Sequence, residues 1–195
     1  MNFPADLPPP DSYDAVLFDF DGTIVKTAPN HNKAWLHALH QQGVKAEGDI
    51  ISGYGGVSST AVALSLAQIH KVNAKQLHDA AHAVKVTLME GWEPINDVVD
   101  FAERCPKKAI VTGGDPEGTL HVMFMLPKVW SVFAKTMIFH PHSMGALRGK
   151  PAPDMFLLAA SHLNTDPSRC IVIEDATIGL EAASRAGMRG YKVSP

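Results

Sequence analysis

The sequence predicts an α/β protein: a parallel sheet covered by helices, with a helical insertion after its first strand. Three observations predict it. Short apolar, β-rich runs alternate with helical patterns, as they do where helices cross over between parallel strands. Acidic or hydroxyl residues directly follow three of those runs. About eighty residues separate the first run from the second, far more than one crossover needs.

The first strand is the buried run Ala15 to Phe18 in AVLFDFDGTIV. It ends in Asp19 and Asp21, followed by Gly22, which lets the backbone turn sharply. In extended chain, residues two apart point to one side, so both carboxylates can face one cavity. Two like charges there repel unless a cation or a proton sits between them. Taken alone, the segment also reads as an acidic turn that merely closes a strand.

From Thr27 to Trp92 the pattern reads as helical throughout. Ala34, Trp35, Ala38 and Leu39 form one amphipathic stripe; Val62, Leu66 and Ile69 a second; Leu77, Ala80, Ala81, Val84 and Leu88 a third. Gly53-Tyr54-Gly55-Gly56 breaks the pattern as a loop. The expectation is a compact insertion over the strand ends, joined by segments near Lys26–Pro29 and Gly91–Pro94, that excludes water and selects a substrate. The expected organisation is an extended tail at 1–12, a core at 13–26 and 93–195, and a helical cap at 27–92.

The remaining strands are read at Ala109–Val111, Thr136–Phe139, Cys170–Ile173 and Gly190–Val193, with helices over Asp154–Leu163 and Ile178–Ala186. In open parallel sheets ligands bind beyond the carboxyl ends of strands. Asp19, Thr112 and the pair Glu174-Asp175 each fall at such an end.

Composition excludes several classes. Hydrophobic residues are 46% of the 195, yet no apolar run approaches the ~20 residues of a membrane span. The start, MNFPADLPPPDSY, has neither a basic nor an apolar region of a signal peptide. Two cysteines without CxxC spacing, Cys105 and Cys170, point to a reducing, cytoplasmic setting. Net charge is −3 with no basic cluster, so no nucleic-acid partner is expected. An anionic substrate must then be met by local groups, because the overall field does not attract it.

Four segments supply such groups. Asp19 and Asp21 end the first strand. Thr112-Gly113-Gly114 ends the second, where a hydroxyl and free N–H groups suit phosphate oxygens. Lys150, in GKPAPD, brings a compact charge on the approach to the next helix. Glu174 and Asp175 add two carboxylates. Four acids at one place exceed what Lys150 can offset, and an all-oxygen donor set points to Mg²⁺ as the missing cation. A carboxylate attacking an anionic phosphate needs that screening, and carboxylate nucleophiles do form aspartyl-phosphates.

DFDGT, the threonine after the second strand, the lysine of GKPAPD and the Glu-Asp of IEDATIG, in that order, resemble the haloacid dehalogenase superfamily. Within it the chain is similar to the β-phosphoglucomutase-like group of sugar-phosphate phosphatases and mutases. The resemblance covers about Ala15 to Val193 and implies a Rossmann-like core with a helical cap. It implies that Asp19 is the nucleophile and a Mg²⁺ ligand. Asp21 would be the general acid and then the base, with its carbonyl on the metal. Thr112 and the Gly113 N–H would hold phosphate oxygens, and Lys150 would bridge Asp19 and phosphate. Asp175 would ligate Mg²⁺ directly, and Glu174 through water. His31 and Trp35, in TAPNHNKAW, stand where these enzymes carry a His and a Trp, the His coupling cap closure to acid–base chemistry. As the alternative, His31 simply begins the first cap helix.

The chain departs from the group in places. Lys26 stands where relatives usually carry Asp. The segment GGVSSTAVAL has Ser58, Ser59, Thr60 and Ala61 where relatives that grip a second phosphate place an Arg, which weakens a mutase reading. Lys85 is the possible compensating cation, against its reading as a solvated helix lysine. His140-Pro141-His142-Ser143-Met144 has no assigned role. His78 and His82, at i and i+4, lack a third zinc ligand. Met123 and Met125 read as core packing. Neither cysteine has a nearby basic group that argues for a reactive thiolate. The expected function is a Mg²⁺-dependent phosphatase of small phosphorylated metabolites, sugar phosphates foremost. A β-phosphoglucomutase-type mutase and a non-catalytic phosphometabolite-binding protein are the alternatives, and dehalogenase or phosphonatase chemistry fits the residues less well.

Overall fold

The computed structural model describes residue 9 and residues 12–88, 90–141 and 147–194. Most of the 1–12 tail and residues 142–144 of the histidine-rich segment therefore lie outside the described residues. Strands β1 (Ala15–Phe18), β4 (Lys108–Val111), β5 (Ile138–Phe139), β6 (Cys170–Glu174) and β7 (Arg189–Lys192) form one sheet in the order β5-β4-β1-β6-β7. Every pairing in it is parallel. The chain leaves β1 on one side toward β4 and β5, then returns to its other side as β6 and β7. β1 is thus the switch point, the place where such sheets open a crevice beyond their carboxyl ends.

The alternation of β1 explains its burial on both faces. Val16 and Phe18 join a cluster with Val98, Val99 and Phe101 of α4 (Asn96–Glu103), Val122 and Met123 of α5 (Pro116–Met125) and Phe133 of α6 (Pro127–Phe133). Ala15 and Leu17 join the opposite cluster with Met155, Phe156 and Ala159 of α7 (Asp154–His162) and Ala182 and Ala183 of α8 (Thr177–Arg185). The strand expected at Thr136–Phe139 shrinks to Ile138–Phe139. It lies at the sheet edge, paired only with β4, and Met137 is 49% exposed.

Between β1 and β4 stand α1 (Ala28–Gln41), α2 (Ser59–His70) and α3 (Ala74–Thr87). They share a buried cluster of their own, built from Ala34, Trp35, Leu39, Val62, Leu66 and Leu77. Pro29 sits in the first turn of α1, while Ser58 and Asn73 cap α2 and α3 by accepting from Ala61 N and Gln76 N. The expectation of helix throughout 27–92 is too simple, because residues 42–58 carry none. Ile69 also departs from its stripe: Ala63 and Ala67 take the inward face of α2, leaving Ile69 63% exposed. A two-residue antiparallel ribbon, β2 (Val25–Lys26) with β3 (Glu93–Pro94), ties the two ends of this insertion together. No helix among the described residues is long and apolar enough to cross a membrane.

Candidate active site

Asp19 follows β1 directly, and its N–H donates to Ile173 O of β6 at 3.0 Å, which seats it at the sheet's carboxyl edge. The chain then doubles back: Ile24 N and Val25 N both reach Phe20 O, at 3.0 and 3.2 Å. Gly22 adopts φ +82 within this turn, and any Cβ there would run into the Asp175 carboxylate. The glycine of DFDGT is therefore required twice, by backbone conformation and by the close approach of a second carboxylate.

Lys150 Nζ lies 2.6 Å from Asp19 Oδ1 and 3.0 Å from Glu174 Oε2, with all three side chains buried. Asp19, Glu174 and Asp175 each bring an oxygen within 4.8 Å of the others'. One ammonium cannot balance three carboxylates, and the imbalance shows in their acidity. Burial raises the Asp19 pKa above the usual carboxylate value, with Asp21 adding repulsion and Lys150 opposing both. Burial and Asp19 push Glu174 well up, and Asp175 is pushed up to about 7, first by burial and then by Asp19. Burial opposes the Lys150 charge, but Asp19 and Glu174 outweigh it and raise its pKa. Asp19 Oδ2 and Glu174 Oε1 are buried without a hydrogen-bond partner among the described residues. Two orphaned carboxylate oxygens beside a third carboxylate make an all-oxygen donor set that fits a hard divalent cation.

The fourth acid turns elsewhere. Asp21 Oδ2 receives a hydrogen bond from Thr112 Oγ1 at 3.5 Å, and Asp21 Oδ1 lies 3.3 Å from His31 Nε2 on α1. Burial pushes the His31 pKa down to about 4 against the pull of Asp21. Thr112 Oγ1 also accepts from Gly114 N at 2.9 Å, curling the chain after β4 into a small loop. A Cβ on Gly113 would stand 2.9 Å from Gly56 O, so this loop and the Gly53–Gly56 turn of the insertion meet backbone to backbone.

A cavity of about 630 Å³ opens between the sheet edge and the insertion. Asp19, Asp21, Gly113 and Asp175 line its floor, while His31, Trp35, Tyr54, Ser59 and Lys85 line its helical side. Lys85 is only 7% exposed, which corrects its reading as a solvated lysine: Trp35 of α1 and Ser59 of α2 cover it. Lys26 also reaches the cavity rim, but its ammonium pairs with Glu93 across the ribbon at 3.2 Å. Sequence reasoning left three contributors unassigned. Thr23 Oγ1 reaches Asp175 Oδ1 at 3.5 Å, although it lies inside the DFDGT motif itself. Ser59 was noted only for what it lacks. Asp115 caps α5 by accepting from Gly118 N at 2.7 Å and faces His82 Nδ1 at 3.4 Å; its Asp-Pro start is a legible helix signal, whereas the histidine contact is tertiary.

The other candidates settle simply. His78 and His82 stack on each other, half-buried beside Asp79 and Asp115, and take part in no metal-holding group among the described residues. Met123 is fully buried and Met125 packs against the same cluster, as expected of core methionines. Lys108 and Arg104 lie near Cys105, but burial dominates and pushes its thiol up to about 11, and burial does the same to Cys170, in keeping with two unreactive thiols.

The family model of haloacid dehalogenase-like hydrolases matches residues 13–187. Fructose-1-phosphate phosphatase YqaB of Escherichia coli is 29% identical over 189 residues, covering 93% of this chain and 96% of that protein. β-Phosphoglucomutase of Bacillus subtilis is 25% identical, covering 89% and 80% of the two chains. A hydrolase from Pseudomonas syringae superposes with a TM-score of 0.78 at 23% identity, over 92% of this chain and 83% of its own, and shows the shared fold. With the matched model spanning four of the five sheet strands, the insertion and the strand ends that carry Asp19, Thr112, Glu174 and Asp175, the chain belongs to the haloacid dehalogenase-like hydrolases.

Proposed function

We propose that the protein is a Mg²⁺-dependent phosphatase of small phosphorylated metabolites, sugar phosphates foremost, working through an aspartyl-phosphate at Asp19. One observation carries this reading. A buried carboxylate, Asp19, is held at 2.6 Å by a buried ammonium on the floor of the cavity, with a second acid, Asp21, presented by Thr112 and His31 beside it. The family and its named phosphatase relatives agree with that chemistry.

In the proposed cycle the substrate's phosphoryl group lies against Thr112 Oγ1, the Gly113 N–H and Lys150 Nζ. Asp19 Oδ attacks phosphorus as the ester P–O bond breaks, and Asp21, which enters the cycle in its protonated form, gives its proton to the departing oxygen. Water then attacks the aspartyl-phosphate, Asp21 takes a proton from it, and phosphate leaves with Asp19 restored. Asp19, Asp175 and the Asp21 carbonyl would hold Mg²⁺, with Glu174 beside them. The bound ion supplies the positive charge that lets a carboxylate approach an anionic phosphate. The helices α1–α3 serve as the cap: they exclude water and select the leaving group.

The mutase alternative needs a cation to hold a second phosphate. The turn before α2 offers Ser58, engaged as a cap, and Ser59, engaged with Lys85, so the phosphatase reading is preferred. Phosphate release from sugar phosphates with Mg²⁺, and its loss in EDTA, tests the reading. Asp19→Asn should lower release by on the order of a thousandfold or more with unchanged circular dichroism. Hydrolysis by that variant at the wild-type rate removes Asp19 as nucleophile. Isomer formation outrunning phosphate release, with dependence on a hexose bisphosphate, establishes the mutase instead.

A further inference from the structure

Helices α1–α3 close over an apolar cluster of their own, separate from the two that flank the sheet. They join the core through two linkers and a two-residue ribbon, the construction of a separate body on a hinge. Where this body meets the core, α3 faces α5, and two histidines span the junction. His121 Nε2 of α5 meets Leu88 O, at the end of α3, at 3.0 Å. His82, within α3, sets Nδ1 3.4 Å from Asp115 Oδ2 and Nε2 3.6 Å from Glu117 Oε2, both at the start of α5.

The ring geometry decides what the His82 contact needs. An ionised carboxylate only accepts, so a carboxylate beside each ring nitrogen calls for two N–H groups. A neutral imidazole carries one and turns the lone pair of its other nitrogen toward a carboxylate. The imidazolium carries both, and its charge strengthens each contact. Burial works against the Asp115 charge, but the Gly118 N–H and His82 outweigh it and hold its carboxyl below the ordinary value. Asp115 is therefore an anion throughout the range in which histidine changes charge. Other charges also weigh on this ring. His78 of α3 stacks on it at 6.5 Å, with its own partner in Asp79, and Asp115 also favours the charge of Lys85. From α1, His31 feels Asp115 as well, while α2 brings no titratable group but His70. Asp115 is thus shared among several cations, whereas the ion pair of Glu117 among the described residues is with His82.

We infer that His82, Asp115 and Glu117 form a pH-sensitive latch that closes the helical insertion onto the core when the imidazole is protonated. Opening parts α3 from α5 and leaves the ring in water, so the closed form binds the proton more tightly than the open one. Falling pH therefore favours closure, and rising pH through the histidine range releases it. Asp115 directly follows the Thr112–Gly114 loop, which places the latch at the edge of the cavity. The inference stands apart from the phosphatase reading, because closure is measured without substrate.

The experiment places spin labels at exposed positions on the two bodies, through Gln76→Cys on α3 and Glu103→Cys on α4, and records their distance distribution at pH 5.5 and pH 8. Cys105 and Cys170 are buried and do not compete for label. From pH 8 to pH 5.5 the ratio of closed to open populations should rise by about threefold to tenfold, as two partly exposed ion pairs allow. His82→Gln in the labelled protein should flatten that response. His82→Lys, a cation at both pH values, should hold at pH 8 a closed population near that of the unsubstituted latch at pH 5.5. A labelled protein with the latch intact whose distribution is the same at both pH values overturns the inference, and this arm needs no substitution at the latch. A His82→Gln protein that keeps the full response also overturns it, because another group then carries the switch.

Discussion

The floor and the roof of the cavity are built on opposite electrostatic principles. The floor concentrates charge: three carboxylates within 4.8 Å of one another, one ammonium among them, and two carboxylate oxygens without partners. The roof is mostly apolar or neutral, with Trp35, Tyr54, Ser59 and a buried His31 whose pKa burial lowers, and a buried lysine resting on an aromatic ring. Charge in the floor is held by other charge, so removing any member exposes the rest. Charge in the roof is held by a hydroxyl, a π-face and the half-buried Asp21 and Asp115, so removing it strands no fully buried carboxylate.

The largest expected effect breaks the floor. Lys150→Met leaves Asp19 and Glu174 buried without their shared cation, and breaking a buried pair in this way costs about 3–5 kcal/mol. For a chain of this size that is a fall in melting temperature of roughly 6–20 °C. Lys85→Met in the roof should stay within about 1.5 kcal/mol, because methionine can occupy the same apolar bed. Scanning calorimetry of both variants in EDTA decides it. Equal losses would show that the two lysines are held by the same kind of interaction.

A second prediction uses pH on the floor alone. Asp175 is pushed up to about 7 from the ordinary 3.8, by burial and then by Asp19, so the native state holds this proton more tightly than the unfolded chain does. The stability that this confers is complete below about pH 4 and is lost as pH rises through 7. Metal-free protein should therefore be less stable at pH 8 than at pH 5, by no more than about 3 kcal/mol. A cation bound among the carboxylates replaces the proton, so Mg²⁺ should raise the melting temperature more at pH 8 than at pH 5. Asp175→Asn should weaken both dependences. An equal Mg²⁺ shift at the two pH values would place the ion away from Asp175.

These contrasts also explain what could be read in the chain. The floor was legible because each of its residues follows a short apolar strand directly, and a parallel sheet brings such ends to one edge whatever the details of packing. Asp19, Thr112, Glu174 and Asp175 all have this property, and Lys150 was recognisable from GKPAPD. The roof was not legible in the same way. Whether Lys85 meets solvent or a cavity depends on how α3 packs against α1 and α2, and hydrophobic periodicity does not fix that rotation. The misplaced Ile69 has the same origin: Val62 and Leu66 predict a stripe, but small Ala63 and Ala67 let a neighbouring helix close over a different face. The pairing of His82 with Asp115 joins helices α3 and α5, distant in sequence, and no local pattern announces it.

Where floor and roof touch, the contact is backbone to backbone. Gly113→Ala would put a methyl group 2.9 Å from Gly56 O, a separation that forces the Gly53–Gly56 turn outward. The expected result is a rise in KM of about tenfold with little change in melting temperature, since neither loop contributes a fully buried residue to the three clusters and only Tyr54 packs against one of them. Faster proteolysis near Tyr54 would accompany it. An unchanged KM would mean that closure of the roof does not depend on this contact.

The smallest effect belongs to the ribbon that joins the two regions. Lys26 Nζ meets Glu93 Oε2 at 3.2 Å, but the two side chains are 40% and 69% exposed. Exposed pairs of this kind contribute at most about 1 kcal/mol, and salt screens them. Lys26→Ala should lower the melting temperature by no more than about 4 °C, and the difference should vanish in 1 M salt, as screening over ~3 Å requires. Lys26 also lines the cavity rim, so its charge has a second possible use in meeting an incoming anion. The two uses separate kinetically. If the lysine serves only the ribbon, Lys26→Ala leaves KM within about twofold and Glu93→Gln reproduces its small thermal shift. If it serves the anion, KM rises in Lys26→Ala and falls in Glu93→Gln, because freeing the ammonium from its carboxylate turns it toward the cavity. That opposite pair of responses would move Lys26 from the hinge to the charged machinery of the floor.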